Sequence, residues 1–200
     1  MKSGECMEKA RTKRRIQAEE SRENIFNTAI KLFSERGYES VTVEQICKAA
    51  KVSVGGFYHY YKSKASVFDE LHERLNDHFL ELVQNTESIQ RDTERVLRYF
   101  ECFAETNEYI GPAIVTILLS IGNDLQNQQG SLRGYILDSI VHGQSTEEFE
   151  KEYTAEEITN HLIFATKGLL HEWCFQRGTF SLKEKMHQFV QIELRCFSAT

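Results

Sequence analysis

Apolar residues recur at helical spacing along most of this chain, and short capping signatures mark where each run begins and ends. Ile25, Phe26, Ala29, Ile30, Leu32 and Phe33 define a first helix over about 19–36, which Gly37 is placed to stop as a left-handed cap. Thr42 and Gln45 form a capping-box pair, so a short helix is expected over 43–50 with Val43, Ile46 and Ala50 facing inward. Ser53 can cap a third helix over 54–60 after a turn of about three residues. Ser63 opens a long fourth one over 64–84, striped by Val67, Leu71, Leu75, Phe79 and Leu82. Further helices are expected over 92–106, 110–125, 131–143, 154–176 and 181–197. The run IGPAIVTILLSIG, apolar nearly all round, is expected to be central. The pattern predicts an all-α protein of about nine helices.

Two short capped helices joined by a tight turn match the helix-turn-helix plan, whose second helix enters the major groove of DNA. Charge supports that reading. Residues 1–64 hold 13 Lys and Arg against 8 Asp and Glu, while residues 65–200 hold 11 against 22. A basic head on an acidic body directs the head, and only the head, towards a polyanion. Residues 1–17 carry Arg11, Lys13, Arg14 and Arg15 with few apolar neighbours, and are expected to form a flexible basic arm. The domains expected are therefore the arm at 1–17, a helix-turn-helix domain at 18–64 and a sensing and dimerisation domain at 65–200.

Several function classes are disfavoured. No apolar run reaches the ~20 residues that span a bilayer, and the N-terminus lacks the apolar stretch of a secretory signal, so a cytoplasmic protein without a membrane partner is expected. Cys6, Cys47, Cys102, Cys174 and Cys196 are scattered, and the histidines show no ligand spacing. With neither a Gly-rich phosphate loop nor a nucleophile–base motif, no metal, cofactor or catalysis is expected. Cys47 and Cys174 fall on apolar helical faces and read as small buried hydrophobes.

Gly37, Thr42, Ile46, Ala50, Val52, Ser53, Gly55, Tyr58, Tyr60, Tyr61, Lys64 and Phe68 stand in the order and spacing of the DNA-binding domain of the tetracycline-repressor (TetR) family, which residues 25–68 closely resemble. Two positions depart from the usual pattern. Lys51 stands where many members have glycine, so the turn must place a lysine in a left-handed or bridge conformation. Cys47 stands where alanine is common.

The resemblance implies phosphate contacts from Thr42, Ser53, Tyr58, Tyr60 and Lys64. Such contacts position a protein on DNA without reading its sequence. Base reading is expected from Val54, Gly55, Gly56 and His59 on the outer face of the third helix. Val54 suits a thymine methyl and His59 a purine edge, while the glycines permit close approach. The tyrosines also fit a packing role, which is the reading preferred for Tyr61, and His59 could simply be solvated.

The resemblance also implies that the last two helices pair with their copies in a homodimer, which would require a palindromic operator. Ile158, Leu162, Ala165, Leu169 and Trp173 step along one of them, and Met186, Phe189 and Val190 along the other. The same stripes would also serve as core within one subunit. A cavity for a small-molecule effector is expected between the fourth and eighth helices. Its candidates are Phe79, Tyr99, Phe103, Tyr109, His142 and Phe164, with Asn123 and His161 as further polar groups. The function expected is a sequence-specific DNA-binding regulator, a repressor released by its ligand. The alternatives are an activator of the same fold, or a helical enzyme or carrier that does not bind DNA.

Overall fold

The computed structural model describes residues 2–84, 86, 88–120 and 132–199, with side chains from residue 15 onward. The described residues form nine helices, and the only β-type pairing among them is an isolated bridge between Phe149 and Ser198. The predicted all-α class holds. The chain divides into two compact units, Met1–Leu71 and His72–Thr200, called here the head and the body.

The head contains α1 (Lys2–Arg36), α2 (Val43–Ala50), α3 (Val54–Tyr60) and the first turns of α4 (Ser66–Gln84). Helix α1 begins at Lys2, well inside the segment expected as a loose arm. Lys, Arg and Glu make up about half of that segment, and all three are good helix formers. The boundary between units also falls later than expected, inside α4. Val67, Phe68 and Leu71 from its first turns are buried. Phe68 stacks on Phe33 at 5.3 Å between ring centroids and meets Tyr38 edge-on at 5.2 Å, which draws the start of α4 into the head.

The local signals behave as the sequence predicts. Thr42 and Gln45 form the reciprocal capping box of α2, and the Ser53 Oγ accepts the Gly56 N–H at 3.0 Å to cap α3. Lys51 adopts φ 57°, ψ 40°, the left-handed conformation that the missing glycine demands. Gly37 ends α1 at φ 80°.

The body comprises the remainder of α4 with α5 (Asp92–Ile110), α6 (Pro112–Ser120), α7 (Leu132–Ser145), α8 (Ala155–Phe175) and α9 (Leu182–Arg195). Helix α5 is its axis and packs on α9, α7 and α6. Val96, Phe100, Cys102 and Ala104 of α5 are wholly buried, as are Ile136, Ile140, Leu162, Met186 and Val190 on the helices around it. Gly143 on α7 lies beneath Phe149, so close that an added Cβ would sit 2.4 Å from the ring. The Glu108 carboxylate on α5 accepts the Leu182 and Lys183 N–H groups at 2.6 and 3.2 Å, which caps α9 from outside its own sequence. The expected helix over 110–125 is present as α6. Its last residues and Asn123 lie outside the described residues.

Burial governs the cysteines. Cys47 and Cys102 are buried and Cys174 is half-buried. Burial pushes all three thiols up, Cys102 to about 11, so they stay protonated near neutrality. No helix among the described residues is long and apolar enough to cross a membrane, and no group of His, Cys, Asp and Glu among them could hold a metal ion.

Candidate DNA-binding surface and effector cavity

The outer face of α3 follows from its sequence. Phe57 and Tyr61, four residues apart, are 0% and 3% exposed and anchor the helix to the head. Val54 and Tyr58, also four apart, are 41% and 53% exposed on another face. Gly55 and His59 are exposed beside them, and Tyr60 is half-buried with its ring edge against His59. The expected packing role of Tyr61 is thus observed.

The two glycines of α3 differ. A side chain at Gly56 would come within 3.2 Å of the Ser53 hydroxyl, so this glycine protects the cap. At Gly55 an added Cβ would meet only the same hydroxyl, at 4.0 Å. Nothing inside the head requires a bare backbone at Gly55, which leaves its exposed surface open to close approach from outside.

Polar ties centred on Glu70, Asn24 and Lys64 hold the elements of the head together. The Tyr61 hydroxyl donates to Glu70 Oε2 at 2.6 Å, and the Arg22 guanidinium donates to the same oxygen at 2.9 Å. Glu70 is only 7% exposed. This buried carboxylate therefore joins α1, the end of α3 and α4. Burial, together with Glu70, pushes the Tyr61 phenol well above the usual tyrosine range. The Asn24 side chain donates to the Ala50 carbonyl at the end of α2, at 2.7 Å. Lys64 donates to the carbonyls of Tyr38 and Val41 at 2.7 and 2.9 Å, with its ammonium 4.0 Å from the Tyr38 ring centroid. Two of its three N–H groups are thus committed to holding the α1–α2 loop, which leaves one for a phosphate.

Thr42 and Ser53 are exposed, and their oxygens already serve as acceptors in the caps. Their hydroxyl hydrogens remain available to an anion. Lys48, Lys51 and Lys62 are exposed cations on the same short stretch; the sequence reading weighed only Lys51, and only for its backbone. The spacing of basic residues about the two short helices was the signal for them.

In the body, a cavity of about 490 Å³ is lined by Leu80, Val83, Gln84, Thr86, Arg95, Tyr99 and Tyr135. Of the expected effector residues only Tyr99 lines it. Phe79 and Phe103 are core, at 6% and 5% exposure. His142 is held by Asp92 at 2.6 Å, while Tyr109 and Phe164 point outward at 74% and 69% exposure. His161 pairs with Glu193 at 2.6 Å, outside the cavity lining. Arg95, Gln84 and Tyr135 were missed because the cavity arises where α4, α5 and α7 converge, which no single stretch of sequence records.

The expected interface residues fall mostly inside the subunit. Ile158, Leu162, Trp173, Met186 and Val190 are buried within the subunit, and Ala165, Leu169 and Phe189 are half-buried. They form the inner stripes of α8 and α9. The outer faces carry Phe164, Phe175 and Ile192, at 69%, 84% and 60% exposure.

Comparison with known proteins agrees with this geometry. Residues 25–71 match the model of the family described as bacterial regulatory proteins, tetR family. The chain is 25% identical over 199 residues to the HTH-type transcriptional regulator AcrR of Shigella flexneri, covering 92% of this chain and 93% of that one. It is 21% identical to IcaR of Staphylococcus aureus, the negative transcriptional regulator of the biofilm operon icaADBC, covering 84% of this chain and 92% of IcaR. Among solved structures, the ketosteroid transcriptional regulator KstR2 of Mycobacterium tuberculosis superposes with a TM-score of 0.70 at 20% identity, covering 90% of this chain and 95% of that one.

Proposed function

The chain belongs to the TetR family of DNA-binding transcriptional regulators, and from that premise we propose that it is a homodimeric repressor released from a palindromic operator by a small molecule. The observation that carries the DNA-binding half of this reading is the outer face of α3. Val54, Gly55, Tyr58 and His59 are exposed together on a helix whose other side is locked by Phe57, Tyr61 and the buried Glu70. A rigid, solvent-facing helix at the end of a helix-turn-helix is the arrangement that reads a major groove. Thr42, Ser53, Tyr58, Tyr60 and Lys64 hold the phosphates, while Val54 and His59 read bases and Gly55 admits the duplex. Gly56 serves the cap rather than the bases.

The exposed aromatic and aliphatic groups on α8 and α9 support the dimer. Isolated exposed apolar residues are ordinary, but Phe164 and Phe175 lie eleven residues apart, on one face of α8. Repression is supported by the role of IcaR as a negative transcriptional regulator, and effector control by the cavity in the body.

Fluorescence anisotropy of the full-length protein on the DNA upstream of its own gene tests the reading. We expect affinity to fall steeply with salt, together with a clear preference over random duplex. Tyr58→Phe should weaken binding to all sequences alike, whereas His59→Ala should change which sequence is preferred. Binding that shows neither salt dependence nor preference would end this reading. Light scattering tests the dimer: Phe175→Arg is expected to yield monomers and to cost most of the operator affinity.

A further inference from the structure

We propose that the body cavity binds an organic acid, a carboxylate carried on a compact apolar skeleton, with the carboxylate held by Arg95 and the Tyr99 hydroxyl. This deepens the effector reading above and rests on it for its regulatory meaning, though not for the binding itself.

The cavity is large enough for a small organic molecule, since such sites typically run to roughly 300–1,000 Å³. Its walls divide cleanly by chemistry. Leu80, Val83 and the faces of Tyr99 and Tyr135 supply apolar surface, the two tyrosine rings lying 5.2 Å apart. Among the described lining residues Arg95 is the only charged one, and none of them is acidic. A cationic ligand would meet the Arg95 guanidinium directly, because the one carboxylate paired with it, Asp92, is buried behind it and not among the lining residues.

Arg95 is already oriented. One terminal nitrogen donates to Asp92 Oδ1 at 2.6 Å and the other to the Ile89 carbonyl at 2.8 Å. These bonds use two of its five N–H groups, and the others have no partner among the described residues. Asp92 does not belong to Arg95 alone, because its second oxygen lies 2.6 Å from His142 Nδ1. The guanidinium is thus fixed in place by its neighbours while keeping donors for a guest. Arg is the side chain best suited to carboxylates, through paired N–H groups in a rigid fork.

Tyr99 provides the second, independent indication. It is 6% exposed, yet its hydroxyl finds no hydrogen-bond partner among the described residues. The residue lines the cavity and its hydroxyl is not among the sealed-off polar atoms of the described residues, so a bound acceptor can reach and satisfy it there. Burial, with Tyr99 nearby, pushes the Tyr135 phenol up, so it also remains a neutral donor at working pH. The polar groups on the wall thus supply donors in excess, and a ligand that complements them brings acceptor oxygens.

Calorimetric titration of the purified full-length protein, without DNA, tests the site. The probes are benzoate, 2-naphthoate and decanoate, with 2-naphthamide as the neutral twin and 2-naphthylmethylammonium as the cation. At least one acid is expected to bind, and 2-naphthoate to exceed both its amide and its ammonium counterpart by roughly tenfold or more. Tyr99→Phe keeps the ring and removes only the unpartnered hydroxyl. It should leave thermal stability unchanged and weaken acid binding by roughly fivefold. Arg95→Lys, which keeps the charge but loses the fork, should weaken acids more than amides. The proposal is overturned if no acid binds at millimolar concentration, if amide or ammonium binds as well as acid, or if Tyr99→Phe binds acids unchanged. Anisotropy on the operator then separates the two readings. Acid that binds without loosening DNA upholds the site and defeats effector control. Release of DNA by non-acidic molecules alone upholds effector control and defeats this proposal.

Discussion

The head and the body hold their helices by different means. In the head, the short α2 and α3 sit on a core built around Phe33, Phe57 and Phe68, and directed polar ties hold the elements about it: Tyr61 and Arg22 on Glu70, Lys64 on two carbonyls, Asn24 on another. In the body, long helices are fixed mostly by volume, around the wholly buried Val96, Phe100, Ile136 and Leu162. Directed ties specify where a helix end lies and in which direction its outer face points, as a reading surface requires. Packing by volume leaves a helix bundle room to enclose a cavity without leaving backbone groups unsatisfied.

The largest effect should come from the body. Phe100→Ala is expected to cost about 4 kcal/mol in denaturant unfolding, through lost burial and the void left behind. A cost under about 1 kcal/mol would show that α5 is not the axis of the bundle.

Glu70→Ala tests the head. It removes the acceptor shared by the buried Tyr61 hydroxyl and Arg22, at an expected cost of about 2–3 kcal/mol. The half-exposed Arg22 holds the figure at the lower end of what breaking a buried pair costs. Glu70→Gln keeps an acceptor for Tyr61 and should cost less. If Glu70→Ala left operator preference intact in the folded protein, the polar ties would be holding stability rather than aim.

Thr42→Ala removes half of the capping box and should cost about 1 kcal/mol, measured by the same unfolding. The smallest effect is alkaline. The Tyr61 phenol is raised above its ordinary value near 10, so the stability it contributes is complete below about pH 10 and is lost as pH climbs beyond it. Cys102, raised to about 11 from 9, adds a similar loss in the body starting near pH 9. Tyr61→Phe should remove the head's share of that slope and leave the rest, as read from unfolding midpoints between pH 8 and 11.

The same contrast decides what could be read from the sequence. Caps and turns are local, so Thr42, Ser53 and the left-handed Lys51 were legible from a few neighbouring residues. The outer face of α3 followed from helical spacing plus the caps. The body offered only periodicity, and α8 has apolar residues on more than one side. Ile158, Leu162 and Trp173 face inward while Phe164 and Phe175 face outward, and spacing alone does not say which side meets solvent. Tyr99 was found because aromatics are dense along that stretch, which also singled out Phe103, a core residue. Arg95 was not, because its place on the cavity wall depends on which helices come together.

The turn before α3 sets stiffness against attraction. A lysine held left-handed stores about 1 kcal/mol that glycine would not, so Lys51→Gly should raise the melting temperature. The same change deletes an exposed positive group beside the reading helix and should slow capture of the duplex at low ionic strength. A hotter-melting protein that finds its DNA more slowly is the expected outcome of that one substitution.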